Sequence, residues 1–270
     1  MSSSVELAFD AIEQPGAQRR ALFLHGILGS GPNLRTIARR FVEARPGWDA
    51  WLVDLRGHGA SPKGSPGPSL AAAAQDVVDL TANGAVPIAA LIGHSFGGKV
   101  ALAAVGSMPG PEHVVMIDSP PGAREPQTGG DSALSVIEML ESLPGPFATK
   151  GAFVDAVLAK GRGKTLAQWL AMSTEAVPGG TRFALDLQEI RGLIMDYFAQ
   201  DLWPVVESTK AGVHFVIGDR SSSWSAEERA RAAAVAAGDP RVTVDVLPTD
   251  HWVHAEDPDG LLRILLDRVA

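Results

Sequence analysis

The sequence predicts an α/β protein built on a mostly parallel, doubly wound sheet, with a helical cap inserted between two of its strands. Short, continuously apolar runs alternate with helical patterns along most of the chain. This alternation is typical of parallel strands that crossover helices cover on both faces. One interval, residues 121–204, breaks the alternation with several helical patterns and Pro/Gly punctuation. A chain of 270 residues is long enough for one large domain of this kind.

The strands of the predicted sheet are apolar runs of the length that buried strands have. Residues 5–13 (VELAFDAIE) are expected to add an antiparallel edge at the N-terminal end. The parallel strands are predicted at residues 21–26, 51–55, 88–93, 113–118, 213–218 and 242–248.

Helix starts are marked by capping residues between these strands. Ser69 precedes an alanine-rich helical pattern, and Ser225 with Glu228 has the spacing of a capping box. Asp257 before Pro258 is a cap followed by proline at the first helical position.

The interval 121–204 is predicted to hold several helices and to form a cap on the sheet. Its clearest helical pattern has one apolar face, formed by Val136, Met139, Leu140 and Leu143. Similar patches surround 153–158, 166–170 and 183–194, and no strand is expected between Asp118 and Val213. The predicted organisation is therefore a core of residues 1–120 and 205–270 and a cap of residues 121–204.

Composition excludes several functional classes. The net charge of −8 offers no basic surface for nucleic acid or for an anionic membrane. The chain has no cysteine, which rules out disulfides, thiolate metal sites and a cysteine nucleophile. Residues 1–10 have neither a basic segment nor an apolar one, and no apolar run is long enough to span a bilayer. We expect a cytoplasmic protein without membrane insertion.

The segment LIGHSFGGKVAL (91–102) carries the strongest chemical motif. Gly93, Ser95 and Gly97 match G-x-S-x-G between an apolar strand and a helix, the context of a nucleophile elbow. The tight turn requires small residues on either side of the serine and lifts its Oγ clear of the sheet. Amides at the start of the helix can then stabilise a developing oxyanion.

The same segment partly matches a phosphate-binding loop, G-x-x-x-x-G-K-[ST]. Val100 follows Lys99 where the hydroxyl that binds Mg²⁺ would be needed. Nucleotide binding is therefore disfavoured, and Lys99 is predicted to lie on the helix surface with a structural partner.

A histidine is needed to accept the proton of Ser95. The order Ser, acid, His along the chain favours the loop after the last strand, which holds His251 and His254. His251 is nearer to the strand end and is the better candidate. The pair has H-x-x-H spacing without a third ligand, so no metal site is predicted. His58 precedes the serine and is expected to be structural.

The oxyanion hole requires two backbone amides. Phe96, the first residue after the serine, supplies one. His25 and Gly26 end a strand, so the next amide, that of Ile27, is expected to face the site.

Three carboxylates are candidates for the acid that orients His251: Asp118, Asp219 and Asp250. The position three residues after Gly218, where many serine hydrolases keep an aspartate, holds Ser221 instead. Asp219 comes early on that loop, and Asp250 adjoins the histidine. Asp118 ends the neighbouring strand, whose carboxyl end reaches the same crevice.

Five motifs together resemble the α/β-hydrolase superfamily over nearly the whole chain: LHGILGSGPNL, VDLRGHGASP, IGHSFGGKVAL, IDSPPG and DHWVHAEDP. More narrowly, they resemble its branch of small serine esterases and abhydrolase-domain proteins. In that branch the acid follows strand six of the family's usual count, in a context that Asp118, Ser119 and Pro120 match. The resemblance thus implies Asp118 as the acid and a cap inserted after that strand.

The resemblance also implies an ester or thioester hydrolase that forms an acyl-enzyme and needs no cofactor. Ser95 would attack, His251 would transfer the proton, and the amides of Ile27 and Phe96 would hold the oxyanion. The expected partner is a small-molecule ester of small to medium acyl chain. Alternatives on the same residues are an acyl-CoA thioesterase, a C–C bond hydrolase and a cofactor-free perhydrolase. A non-enzymatic ligand receptor on this fold is a further alternative.

Several large cap residues are candidates for the roof of an acyl pocket. Trp203, at the return to the core, is predicted to be its wall or a hinge. The wider set is Trp169, Phe183, Met195, Tyr197, Phe198 and Trp203.

Overall fold

A computed structural model describes residues 5–65, 67–82, 86–108, 110–126 and 132–270. The strands of the main sheet lie close to their predicted positions, and two additional strands lie within the interval 121–204. The strands are β1 (Phe9–Ile12), β2 (Arg19–Leu24), β3 (Trp48–Val53), β4 (Ile88–His94), β5 (His113–Ile117), β6 (Thr174–Val177), β7 (Gly180–Phe183), β8 (Gly212–Gly218) and β9 (Val242–Leu247).

The main sheet has seven strands in the order β1-β3-β2-β4-β5-β8-β9. β1 pairs antiparallel with β3, with Phe9 opposite Val53, and the other neighbours in the sheet are parallel. The mostly parallel sheet and its antiparallel edge at the N-terminal end are confirmed. The chain reverses its direction of winding between β2 and β4, and in such sheets ligands bind at the carboxyl ends of the strands beside this reversal.

Helices cover both faces of the sheet. They are α1 (Arg35–Ala44), α2 (Leu70–Thr81), α3 (Phe96–Val105), α4 (Ala133–Glu141), α5 (Lys150–Ala159), α6 (Lys164–Ala171), α7 (Leu187–Ala199), α8 (Trp203–Ser208), α9 (Ala226–Gly238), α10 (Val253–Glu256) and α11 (Pro258–Arg268), with a 3-10 helix at Gly31–Leu34. Among the described residues no helix is both long and apolar enough to cross a membrane.

The predicted caps form as expected. The side chains of Ser69, Ser225 and Asp257 accept hydrogen bonds from backbone amides in the first turns of α2, α9 and α11, at 3.1, 3.1 and 2.8 Å. Each bond satisfies an amide that has no partner within its helix.

Two apolar cores lie on opposite faces of the sheet. One packs α1 and α11 against the strands, through residues such as Phe41 and Leu265. The other contains Val77 of α2, Val100 of α3 and Ile190 of α7, so the helices of the interval 121–204 pack on the face that also carries α3.

The prediction that the interval 121–204 holds no strand is wrong. β6 and β7 form an antiparallel hairpin, and the predicted helical patch at 183–194 is divided between β7 and α7. The turn residue Gly179 has φ +90°, which favours glycine, and Thr181 exchanges two backbone hydrogen bonds of 2.7 Å with Phe147. Asp186 then caps α7 through the amide of Gln188.

Lys99 is buried, so its predicted place on a helix surface is also wrong. Its Nζ donates hydrogen bonds of 2.7–2.8 Å to the backbone carbonyls of Gly122, Tyr197 and Gln200. Burial lowers the pKa of its ammonium group to about 7. The predicted structural partners therefore exist, and they join α3 to the segment that covers it.

Candidate active site

Ser95 lies on the turn between β4 and α3, at the edge of the sheet where winding reverses. Its backbone has φ +52° and ψ −117°, a conformation that residues with a side chain rarely adopt. The amide of Ser95 donates to the carbonyl of Ile117 on β5, at 2.9 Å. The turn is thus held in a strained conformation by the neighbouring strand.

The glycines of the G-x-S-x-G motif are required by close backbone approach. A Cβ at Gly93 would collide with the carbonyl of Gly97, and one at Gly97 with the carbonyl of Leu24 on β2. The motif therefore brings α3 against β4 and β2 more closely than any larger residue allows.

His251 lies in the loop between β9 and α10, and its ring is paired with a buried carboxylate. Its Nδ1 donates to Oδ2 of Asp118 at 2.6 Å, and the Asp118 side chain has no exposed surface. Asp118 directly follows β5 with φ +46°, and the amide of Gly218 donates to its Oδ1 at 3.2 Å. A carboxylate on Nδ1 keeps the proton there and leaves Nε2 free to act as a base.

Ser221 lies three residues after Gly218, at the position where many serine hydrolases keep the acid. It contacts Asp118, which follows the neighbouring strand β5. The hydroxyl of Ser221 donates to Oδ2 of Asp118. Oγ of Ser223 lies 3.1 Å from Nδ1 of His251. The serines of this loop thus surround the pair formed by Asp118 and His251.

The other carboxylate and histidine candidates do not reach this pair. Asp219 is exposed and forms an ion pair with Arg220, at 3.4 Å. Asp250 accepts from the backbone amide of His251 at 2.8 Å, not from its ring. The ring of His254 is buried against His94 and Trp169.

Ser95 and His251 line one cavity of about 660 Å³. Among the hydrogen bonds of the described residues there is none between Oγ of Ser95 and the ring of His251. Catalytic hydrogen bonds of this kind often shorten only when substrate is bound.

The turn after β2 contributes Ile27 to the cavity that Ser95 lines. Leu28, the next residue, has φ +65° and donates its amide to Nε2 of His58 at 3.3 Å. Nε2 of His25 accepts the amide of Leu55 at 3.0 Å. Phe96 begins α3, so its amide belongs to the helix end whose N–H groups lack partners within the helix.

His25 and His58 hold this turn as neutral rings. Burial lowers the pKa of His25 to about 4 and that of His58 to about 3. Each ring accepts one backbone amide through Nε2, which requires that Nε2 carries no proton. The expected structural role of His58 agrees with these contacts.

The cavity is lined by residues of the interval 121–204 and by residues outside it. Trp169, Tyr197 and Phe198 of the predicted roof contribute to it, whereas Phe183 and Met195 do not. Other lining residues, which the sequence did not single out, are Leu28, His94, Arg124, Ala133, Val136, Leu166, Ile194 and Trp252. They are apolar or isolated polar residues without a motif, so only their positions in the fold bring them together.

Trp203 is not among the residues that line the cavity, so its predicted place in the pocket wall is wrong, while the alternative of a hinge stays a prediction. Its ring is buried against Phe215 of β8, and its Nε1 donates to Glu228 of α9 at 3.2 Å. The side chain points into the core because α8 packs beside α3 and returns the chain to the sheet.

Besides His251, four histidines lie around the serine and its turn: His25, His58, His94 and His254. Burial lowers the pKa of each of these four rings, which makes stability sensitive to acid. Burial, followed by the neighbouring His251, lowers the pKa of His254 to about 3. The unfolded chain, with a histidine pKa of about 6.5, therefore takes up the proton first. The stability that a neutral His254 contributes above pH 6.5 is lost as the pH falls toward 3.

We expect His254→Met to remove one of the protons that the chain takes up on unfolding between about pH 6 and pH 4. The slope of the unfolding free energy against pH should therefore fall by about 1.4 kcal/mol per pH unit in this range. Urea titrations across this range measure the dependence. Trp252→Phe, in the same loop, is the control, because it titrates nothing and should leave the slope unchanged. An unchanged slope for His254→Met would contradict a buried neutral ring.

Within the part of the chain that the structure describes, no group of three or more His, Asp or Glu side chains is placed to hold an ion.

A mostly parallel sheet with a serine on a strained strand-to-helix turn, facing a histidine paired with an aspartate, defines the class of α/β hydrolases. Residues 21–264 match the Alpha/beta hydrolase family, and the chain belongs to this family. The resemblance inferred from the motifs is thereby confirmed.

Relatives of known name cover almost the whole chain. The sn-1-specific diacylglycerol lipase ABHD11 of Danio rerio is 27% identical over 263 residues, 95% of this chain and 80% of that protein. Esterase YbfF of Escherichia coli is 28% identical over 248 residues, 90% of each chain. The solved structure of a marine microorganism esterase has a TM-score of 0.82 at 22% identity, covers 98% of this chain and 99% of its own, and shows the shared fold.

Proposed function

We propose that this protein hydrolyses carboxylic esters of small to medium acyl chain, with Ser95 as nucleophile, His251 as base and Asp118 as the orienting acid. The observation that carries the proposal is the 2.6 Å hydrogen bond from His251 to the buried Asp118 beside the cavity that Ser95 lines. The names of the relatives, a diacylglycerol lipase and an esterase, favour an ester as the substrate.

The proposed reaction has two half-steps. Oγ of Ser95 attacks the acyl carbon while Nε2 of His251 takes its proton, and the amides of Ile27 and Phe96 stabilise the oxyanion. The intermediate collapses as His251 returns the proton to the leaving alcohol, which leaves an acyl group on Ser95. Water then gives a proton to His251, attacks the acyl carbon and releases the acid, and the proton returns to Ser95. These residues and water balance the reaction without a cofactor.

The arrangement of the chain supports a core of residues 1–120 and 205–270 and a cap of residues 121–204 that covers the site. Residues of α4, α6 and α7 line the cavity opposite Ser95. A volume of about 660 Å³ lies within the range of about 300–1,000 Å³ that is usual for small-molecule sites.

The test is a series of p-nitrophenyl esters from acetyl to palmitoyl, with the matching acyl-CoAs alongside. We expect the highest kcat/KM on the short and medium esters. Prior treatment with a fluorophosphonate should abolish this activity and modify Ser95, which peptide mass spectrometry identifies. Modification elsewhere would contradict the nucleophile, and higher kcat/KM on acyl-CoAs would shift the function to a thioesterase.

A further inference from the structure

Arg124 is the cationic side chain among the described residues that line the substrate cavity. It lies on the segment that follows β5, six residues after Asp118, and its amide donates to the carbonyl of Phe198 on α7 at 2.9 Å. The backbone is therefore anchored to the cap, and the side chain is held at the cavity.

The guanidinium of Arg124 is incompletely partnered. Its Nη1 donates to the carbonyl of Ser223, and the group also hydrogen-bonds the side chain of Tyr197, but its buried Nε has no acceptor in the described part of the chain. The group lies 5.1 Å from the ring centroid of Phe198 and 5.7 Å from that of Tyr197. Among the described residues no carboxylate forms an ion pair with it. It therefore keeps a positive charge and an unused donor, Nε.

The two arginines that are buried among the described residues are neutralised. Arg20 forms two hydrogen bonds of 2.7 Å to Asp49, and Arg56 forms bonds of 2.6 and 2.8 Å to Asp76. A charge withdrawn from water is costly unless a counterion compensates it. Arg124 is half-buried and has no such partner among the described residues, but it lines the cavity, where a counterion can arrive with the substrate.

The carboxylates near the cavity are already used. Asp118 accepts from His251, Ser221 and Gly218, and Asp250 accepts from the backbone amide of His251. Lys99, a cation whose charge interacts with that of Arg124, gives its hydrogen bonds to three carbonyls and does not line the cavity. Among the described lining residues, Arg124 therefore presents a positive charge without a carboxylate partner to the substrate.

We propose that Arg124 selects substrates that carry a carboxylate. This inference rests on the proposed ester hydrolysis and names its substrate class, an apolar ester with one negative charge. The planar guanidinium binds a carboxylate through paired hydrogen bonds. Val136, Leu166, Trp169 and Ile194 provide an apolar wall for the remainder of the molecule.

The test compares each anionic ester with a neutral ester of similar shape and leaving group. Mono-p-nitrophenyl glutarate carries the carboxylate on the acyl side and is compared with p-nitrophenyl valerate; 3-carboxyphenyl valerate carries it on the alcohol side and is compared with 3-carbamoylphenyl valerate. We expect at least one anionic ester to have the higher kcat/KM. Arg124→Met should lower the ratio of anionic to neutral kcat/KM about 10- to 100-fold, as for a lost charged hydrogen bond. Arg124→Lys should retain part of the ratio.

The matched control is Arg182→Met, on β7. Arg182 is exposed and paired with Glu175 at 2.8 Å, so its loss should leave the ratio unchanged. An equal loss on neutral and anionic esters in Arg124→Met, or no preference for either anionic ester in the unmodified protein, would overturn the proposal.

A binding measurement separates this inference from the proposed function. Calorimetry on Ser95→Ala should show that Arg124→Met weakens binding of monomethyl glutarate at least about 10-fold and leaves that of methyl valerate within about 3-fold. If no ester is turned over, the proposed hydrolysis fails, and this comparison still decides the role of Arg124. Equal weakening of both ligands would reject carboxylate recognition.

Discussion

Ser95→Ala is expected to lower kcat/KM for p-nitrophenyl esters by on the order of 10⁴-fold or more, while the protein remains folded. The substitution removes the atom that attacks the acyl carbon. The hydroxyl of Ser223 lies beside Nδ1 of His251, at 3.1 Å, and not beside the Nε2 that would take the proton. Among the described residues Oγ of Ser95 forms no hydrogen bond, so its loss breaks no contact of the fold. Steady-state rates and urea unfolding, measured on the same preparation, test both parts.

Ser95→Gly is the companion variant, since it removes the nucleophile and also the strained side chain. With φ +52° and ψ −117° at this position, glycine should be more stable than serine by roughly 1 kcal/mol. An inactive protein of higher stability would show that the strain belongs to the serine. A folded alanine or glycine variant with full activity would remove Ser95 from the mechanism.

Asp118→Asn is expected to lower kcat/KM by about 10²- to 10⁴-fold at neutral pH. An asparagine amide facing Nδ1 of His251 favours the tautomer with the proton on Nε2, which then cannot accept the proton of Ser95. The test compares the steady-state kcat/KM of Asp118→Asn and of Asp219→Asn with that of the unmodified protein. Asp219 is exposed and paired with Arg220, so its variant should stay within about 3-fold of the unmodified protein.

Unfolding measurements accompany this comparison, because Asp118 also accepts from Ser221 and Gly218. A loss of activity with retained folding would assign the effect to the orientation of His251. The reverse ranking of the two variants would return the acid to the loop after β8.

The position of the acid follows from the parallel sheet. β5 lies between β4 and β8, so the residues that follow these strands meet at one edge. The carboxylate of Asp118 therefore reaches the ring of His251 from the strand beside the nucleophile. Ser221 lies on the loop after β8, where many serine hydrolases keep the acid. Here its hydroxyl donates a hydrogen bond to Asp118.

Local sequence was sufficient for the core of the fold. Apolar runs, most of them continuous, predicted the parallel strands of the main sheet, because a strand buried on both faces needs apolar side chains at nearly every position. Ser69, Ser225 and Asp257 predicted helix starts, because capping depends only on residues a few positions apart. The serine turn was equally local, since its glycines are required by the tightness of the turn itself.

Side chains that depend on distant neighbours could not be placed in this way. The hairpin of β6 and β7 is stabilised by backbone hydrogen bonds to Phe147. The ammonium group of Lys99 donates to carbonyls about 100 residues further along the chain, and the ring of Trp203 contacts β8 and α9. The sequence by itself determined the α/β hydrolase fold and proposed Ser95, Asp118 and His251 for the site. Only the tertiary structure decided which side chains surround them, with an unpaired Arg124 among them, because that depends on the packing of segments far apart in the chain.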